Sequence, residues 1–493
     1  MANIETDYLV IGAGAVGLAF ADTLLAETDA HITIIDRHGK PGGHWNDAYP
    51  FVALHQPSAF YGVNSMPLGS NRKDTVGVNK GCYELASGAE VSGYFDKVMS
   101  QILLPSGRVS YHPMCDYRGE GRFVSILSGE ETTVTVRKKI VDATFYGTTV
   151  PATHTPKFAV ADDAWLVTPS GLAQLWQRQH RRPQHFMVIG AGKTAMDVGV
   201  WLINSGARPD SISWVMPRDS WLVNRLQTQP GSEFFNHAIG GQANQMEAFA
   251  KATSVQDLFE RLEACESMLR IDTAHTPTMF HYATLSQGEI DVLRQIKNVI
   301  RLGHVQSVER NALVLTQGRV ALPEDTVCID CTASAVEKKP IQPIFQGHKL
   351  VLQMVRIPQP AFSAALVAYV EAHYSDDPND AHKNQLCAPV PLPDGIEAYP
   401  RATLASMTNQ FHWGQDKALR SWIHNSRLDG FGKVISAVDP QDLEKVAILE
   451  RFKTSAKAAI GNLPNLIASA NAANAANAAS AAERTDSAES AKA

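Results

Sequence analysis

The chain has 493 residues, 44% of them hydrophobic and 19% charged, which is too long for one growing core and too ordinary in composition for a fibrous or disordered protein; two or three domains are expected. Its formal net charge of -6, from 44 basic and 50 acidic residues, gives no reason to expect a nucleic-acid or membrane partner. Six scattered cysteines suit reduced thiols, the polar start runs straight into YLVIG without a signal-like segment, and no apolar run reaches the roughly 20 residues that span a bilayer, so a soluble cytoplasmic protein is the default expectation.

In chain order, residues 8–11 are a short apolar run ending in glycines, residues 16–25 have helical apolar spacing, and residues 31–35 are a β-branched run closed by Asp36. Strand, turn, helix and strand in that order predict a βαβ unit. Alternating segments at 124–126 and 133–136 predict a small antiparallel meander, and 142–150 an exit segment. A second βαβ unit follows: strand 186–189, a GAGKTA turn, helix 196–203 and strand 211–216. Residues 227–288 then interrupt it with helix-like sequence. Ser254 and Asp257 read as a capping box there, with Leu258, Leu262, Cys265 and Leu269 on one face. Strand-like segments return at 299, 312–315 and 327–331, and residues 360–374 predict a helix. Asp439 before Pro440 reads as a further helix start. From 468 onward Ala, Asn and Ser repeats predict a disordered or marginally helical tail.

Two glycine turns carry the chemistry. In Gly12-Ala13-Gly14-Ala15-Val16-Gly17, Gly12 permits a tight turn, Gly14 lets backbone approach a pyrophosphate, and Gly17 lets the helix pack close to the sheet; the helix N-terminus then faces the phosphate charge. Asp36 stands where an acid accepts hydrogen bonds from ribose hydroxyls. The second turn is Gly190-Ala191-Gly192-Lys193-Thr194-Ala195. A P-loop would need glycine five positions before Gly192, where Met187 stands, so ATP binding by this loop is excluded. The strand after its helix leads to Arg218, whose guanidinium would pair with a 2′-phosphate; this favours NADPH over NADH, a solvated surface arginine being the plainer alternative.

From about residue 7 to 371 the chain resembles the class B flavin-dependent monooxygenases, the group of flavin-containing monooxygenases, Baeyer–Villiger monooxygenases and N-hydroxylating relatives. The resemblance rests on GAGAVG, Gly42-Gly43-His44-Trp45, Leu54-His55-Gln56-Pro57, GAGKTAMD, and the crossing segments Asp142-Ala143-Thr144 and Asp330-Cys331-Thr332-Ala333-Ser334. It implies FAD on the first loop, with Gly42, Gly43 and Trp45 against it, and NADPH on the second. Arg37, His55, Gln56, Lys193 and Thr194 join the cofactor-binding set. An asparagine beside flavin and nicotinamide carries over to Asn64 as the catalytic candidate. Gln359 and Phe362 open a helix whose N-terminus would face the flavin, where its dipole stabilises negative charge. The chain departs from the Baeyer–Villiger fingerprint F-x-G-x-x-x-H-x-x-x-W: Phe145-Tyr146-Gly147 matches its start, but Pro151 stands where the histidine belongs. The superfamily is therefore assigned without a subgroup.

The implied fold is α/β, with two Rossmann-like dinucleotide-binding domains, the NADPH domain inserted into a discontinuous FAD domain, and extra helical segments. The boundaries are 1–160 and 333–386 for FAD, 161–332 for NAD(P), 387–466 for a helical substrate or cap region, and 467–493 for the tail. The implied activity is transfer of one oxygen atom from O₂ to a small organic substrate through a C4a-(hydro)peroxyflavin. A flavin dehydrogenase or oxidase, or a cofactor-binding redox sensor, are the alternatives. Cys328 and Cys331 lie in a strand with opposite-facing side chains, which argues for packing rather than dithiol chemistry. The histidines show no metal-ligand spacing, so no metal is expected. Substrate and O₂ are the expected partners; the oligomeric state, a homodimer included, stays open.

Overall fold

The computed structural model describes residues 2–177, 183–334, 336–374 and 379–490. The first sheet runs Phe345–Gln346, Lys349–Val351, Glu131–Asp142, Ala2–Ile11, Ile32–Ile35, Val109–His112. From Lys349–Val351 onward every neighbour in that order is parallel. Parallel strands need cover on both faces, which is why their sequences are apolar runs rather than alternating ones. Leu9, Val10, Ile34 and Ile35 are all buried. The helix Ala15–Glu27 covers one face and packs against Pro360–His373, so residues far apart in sequence close the same domain. The expected meander is present: Cys115–Gly119, Arg122–Ser125 and Glu131–Asp142 pair antiparallel.

The second sheet is also all parallel, in the order Asn298–Ile300, Ile212–Val215, His185–Ile189, Thr326–Asp330, Leu166–Val167. Helix Lys193–Asn204 lies between its strands His185–Ile189 and Ile212–Val215 in sequence, completing the second βαβ unit. Cys328 and Cys331 are both free and buried, in separate clusters. That placement matches opposite-facing side chains.

Four local expectations change. The segment 227–288 is only partly helical: after Phe235–Lys251 and Val255–Ala264 come strands Met268–Leu269 and Met279–Leu285, which pair with Ser220–Asn224. Leu258 and Leu262 are buried, but Cys265 ends the helix and Leu269 lies on a strand. Ser254 does accept from Asp257 N, yet the Asp257 carboxylate takes Thr253 N at 2.8 Å rather than the Ser254 amide. The last helix begins at Leu443, not at Pro440, because Asp439 turns back on Gln441 N and Asp442 accepts from Lys445 N. That helix continues to Ser490, so of the two readings of the tail, disordered or marginally helical, it is the helical one that the structure shows. Alanine has the highest helix propensity, and Leu466 and Ala470 are buried beside Leu258 and Phe259.

Candidate cofactor and substrate site

The first glycine loop is shaped by close approach. A Cβ on Gly17 would lie 2.0 Å from the Gly12 carbonyl oxygen, so only glycine permits this helix to start here. No side chain caps the helix at Gly14, which leaves its first-turn amides for a ligand. Gly42 N donates to Ala13 O at 2.8 Å and a Cβ on Gly14 would sit 3.6 Å from Gly43 Cα, so the two glycine segments stack on each other. Asp36 is buried; it accepts from Ala13 N at 2.6 Å and, through its other oxygen, from His38 N and Nδ1. His38 Nε2 meets Asp47 at 2.9 Å. The Asp36 hydrogen bond, against the opposing effect of burial, raises the His38 pKa to about 8. These features fit the adenosine and pyrophosphate half of a dinucleotide, with Asp36 held by the loop it serves.

A cavity of 1670 Å³ opens between the two sheets and the C-terminal helices. Trp45, His55, Gln56, Gly190, Gly192, Lys193, Thr194, Arg218 and Gln359 all face it. Trp45 stacks on His44 and donates from Nε1 to Tyr61 Oη at 2.8 Å. Burial holds His44 near a pKa of about 4. Gly190 has φ +129, and a Cβ there would lie 2.7 Å from Cys331 O; the second crossing segment therefore packs on the loop itself. Around Gly192 no atom lies within 4 Å of a hypothetical Cβ, and its helix also lacks a side-chain cap. This is the approach a pyrophosphate requires. Arg218 is exposed at the rim and makes no ion pair among the described residues.

The geometry around Lys193 and His55 was not visible in the sequence. Lys193 pairs with Asp197 and lies 3.6 Å from Glu289. Tyr49, from the first domain, donates to Asp197 at 2.7 Å. Arg225 has no exposed surface; it meets Glu289 at 2.5 Å, and donates to Asn79 Oδ1 at 3.2 Å, Thr284 O at 3.0 Å and His55 O at 3.4 Å. One buried guanidinium thus joins the first domain's His55 loop to the strand Met279–Leu285. Burial, and then the charges of Lys193 and Arg225, keep His55 neutral. Burial raises the Glu289 pKa, but Lys193 and Arg225 outweigh it and hold the carboxyl below its ordinary range.

Four expected site residues lie elsewhere. Asn64 does not face the cavity; its side chain accepts from Ser426 at 2.8 Å. The chain is drawn away there because Arg427 donates to the carbonyls of Ala59, Tyr61 and Val63. Phe362 is fully buried in the core, where Arg356 stacks on it at 3.6 Å, while Gln359 remains at the cavity edge. Arg37 is exposed and pairs with Asp116 at 3.4 Å. Ala195 is buried in its helix, where a small side chain is what the close packing demands.

Residues 10–67 match the family of NAD(P)-binding Rossmann-like domains. Over 470 residues, 95% of this chain, the sequence is 43% identical to Uncharacterized protein Rv2000 of Mycobacterium tuberculosis and to Uncharacterized protein Mb2023 of Mycobacterium bovis, covering 86% of each. Among solved structures, the polycyclic ketone monooxygenase of the fungus Thermothelomyces thermophila superposes with a TM-score of 0.53 at 11% identity, over 93% of this chain and 88% of that one. The chain belongs to the family of these mycobacterial proteins, and its fold is that of the class B flavin monooxygenases.

Proposed function

We propose that the protein is an FAD- and NADPH-dependent monooxygenase that inserts one oxygen atom of O₂ into a small organic substrate. The observation that carries this reading is one cavity that both glycine-rich regions adjoin: Trp45, which follows the Gly42–Gly43 pair stacked on the first glycine turn, and Gly190–Thr194 of the second turn line the same space. A flavin bound there would supply the electron transfer and oxygen activation that side chains lack. The chain's own contribution is placement and dryness. The uncapped amides beyond Gly14 and Gly192 would hold the two pyrophosphates, Asp36 a ribose, and Arg218 the 2′-phosphate. Trp45, Tyr61 and Phe145 give the flavin side apolar walls that exclude water. The N-terminus of Pro360–His373, with Gln359 at the cavity edge, would favour negative charge on a reduced ring.

The test uses purified protein reconstituted with FAD. NADPH should bleach the flavin, and turnover under isotopically labelled O₂ should place one labelled oxygen in the product of an accepted substrate. Bleaching with quantitative peroxide release across amines, sulfides and ketones would instead favour a dehydrogenase or oxidase. Protein that cannot be loaded with FAD would end the proposal.

A further inference from the structure

Strand Met279–Leu285 runs parallel to Ser220–Asn224, but its register breaks: Trp221 pairs with Phe280, and Val223 pairs with Thr284. Between these pairs one residue on one strand, Leu222, thus opposes three on the other, residues 281–283, a bulge of the kind that re-aims a side chain. At its apex Tyr282 has φ +57. A left-handed conformation is uncommon for any side chain and an outlier for an aromatic one, so the surrounding structure must impose it. The ring packs 4.6 Å from Phe280 and 5.8 Å from Tyr399, between centroids, and faces the cavity. Its hydroxyl has no hydrogen-bond partner among the described residues, whereas the buried hydroxyls of Tyr49 and Tyr61 are both engaged. Burial raises its pKa, so the group stays a neutral phenol.

The position matters as much as the group. Arg225 bonds the carbonyl of Thr284, two residues on, and that of His55. The end of this strand is therefore fixed to the His55 loop, and Tyr282 lines the same cavity as His55 and Gly190–Thr194. Among the described residues three acidic side chains line the cavity, and each is paired: Glu337 with Lys339, Asp394 with Lys338 and His281, Asp429 with Arg356. Among the described residues the wall offers no free carboxylate to an ammonium group, and a desolvated cation without a counter-charge is costly.

We propose that Tyr282 is a substrate-binding residue that donates a hydrogen bond to a neutral acceptor oxygen, such as a carbonyl, on an otherwise apolar substrate. This rests on the monooxygenase reading for its place in a reaction, though not for the binding itself. The experiment compares FAD-loaded, NADP⁺-bound wild type with Tyr282→Phe, which keeps the ring and removes only the hydroxyl. The probes are acetophenone, ethylbenzene and 1-phenylethylamine, with affinities measured by calorimetry. Wild type should prefer the ketone to the hydrocarbon by about three- to tenfold, the range of one net neutral hydrogen bond, and should bind the ammonium ion most weakly. Tyr282→Phe should abolish the ketone preference while leaving ethylbenzene affinity as it was. A preference that survives in the variant, no preference in wild type, or tightest binding of the amine overturns the proposal. Flavin bleaching by NADPH is followed in the same samples: if it fails in both proteins while the ketone preference and its loss hold, the monooxygenase reading falls and this binding site stands.

Discussion

Arg225→Met removes a buried guanidinium that ties the His55 loop to the strand Met279–Leu285 beneath the cavity. The methionine fills most of the volume, so the cost is electrostatic. Glu289 loses a contact at 2.5 Å and keeps Lys193 at 3.6 Å and the Ser286 amide at 2.7 Å. Removing one member of a buried ion pair costs roughly 3–5 kcal/mol. The remaining Lys193 places the expectation near the lower figure, and the stranded carbonyls of His55 and Thr284 add about 1 kcal/mol each. The sum is about 5 kcal/mol. For an unfolding unit of 150–250 residues, at roughly 2–4 °C per kcal/mol, the apparent Tm should fall by about 10–20 °C. Differential scanning calorimetry of wild type, Arg225→Met, Glu289→Gln and the double variant closes the cycle. Because the cost is an unpaired carboxylate, the double variant should lose less than the two single variants together, by about 1–3 kcal/mol. A Tm drop under 3 °C, or strict additivity, would refute the reasoning. The same pair sets an acid limit: the Glu289 pKa is lower in the folded than in the unfolded chain, so its contribution is present above the ordinary glutamate pKa and is lost as pH falls through the depressed folded value.

Arg218→Ala should raise the NADPH KM and leave NADH nearly untouched. A charge-assisted phosphate contact of about 1.5–3 kcal/mol corresponds to roughly a 10- to 150-fold change; equal losses with both cofactors would reject the assignment. His38 should titrate near pH 8 by NMR. Its folded pKa is raised, so the stability it lends the Asp36 clamp is complete below the unfolded value of about 6.5 and is lost as pH rises through about 8. His38→Gln should remove that alkaline slope, and a variant that keeps it would show the slope has another source.

The two βαβ units could be read from sequence because their signals are local: an apolar run, a glycine turn, helical spacing and a second run. The mis-read parts depend on distant partners. Residues 279–285 became a strand because Ser220–Asn224 offered an edge, which no window around Met279 contains. The tail, read as disordered or marginally helical, is helical, and its Ala470 joins the core that includes Leu258 and Phe259. Asn64 was placed by analogy of loop position, but the loop's path is set by Arg427, more than 360 residues on. That Arg218 and Gly192 lie on the cavity was legible because strand-end position and glycine spacing place them without tertiary context. Tyr282 left no trace in the sequence: a bulge and a positive φ are properties of pairing, not of composition.

The network under the second glycine loop also decides what Lys193 is for. The motif GAGKTA places a cation where the proposed nicotinamide dinucleotide would pass, and the simplest reading makes it a phosphate ligand. Its ammonium, however, lies between Asp197 and Glu289, and Asp197 takes a further hydrogen bond from Tyr49. Asp197 already neutralises it, Glu289 being shared with Arg225, and any phosphate it approached would meet both carboxylates. Attraction at this loop then falls to the uncapped amides after Gly192 and to Arg218. Lys193→Met should therefore lower stability far more than it lowers NADP⁺ affinity. The loss should resemble the 3–5 kcal/mol of a broken buried pair, with Kd for NADP⁺ changing by less than about threefold. The reverse pattern, a tenfold weaker Kd with an unchanged Tm, would show that the lysine leaves its carboxylates to bind phosphate. Alternating Tyr49, Asp197, Lys193, Glu289 and Arg225 would then be a store of charge released by the cofactor rather than a fixed joint between the domains.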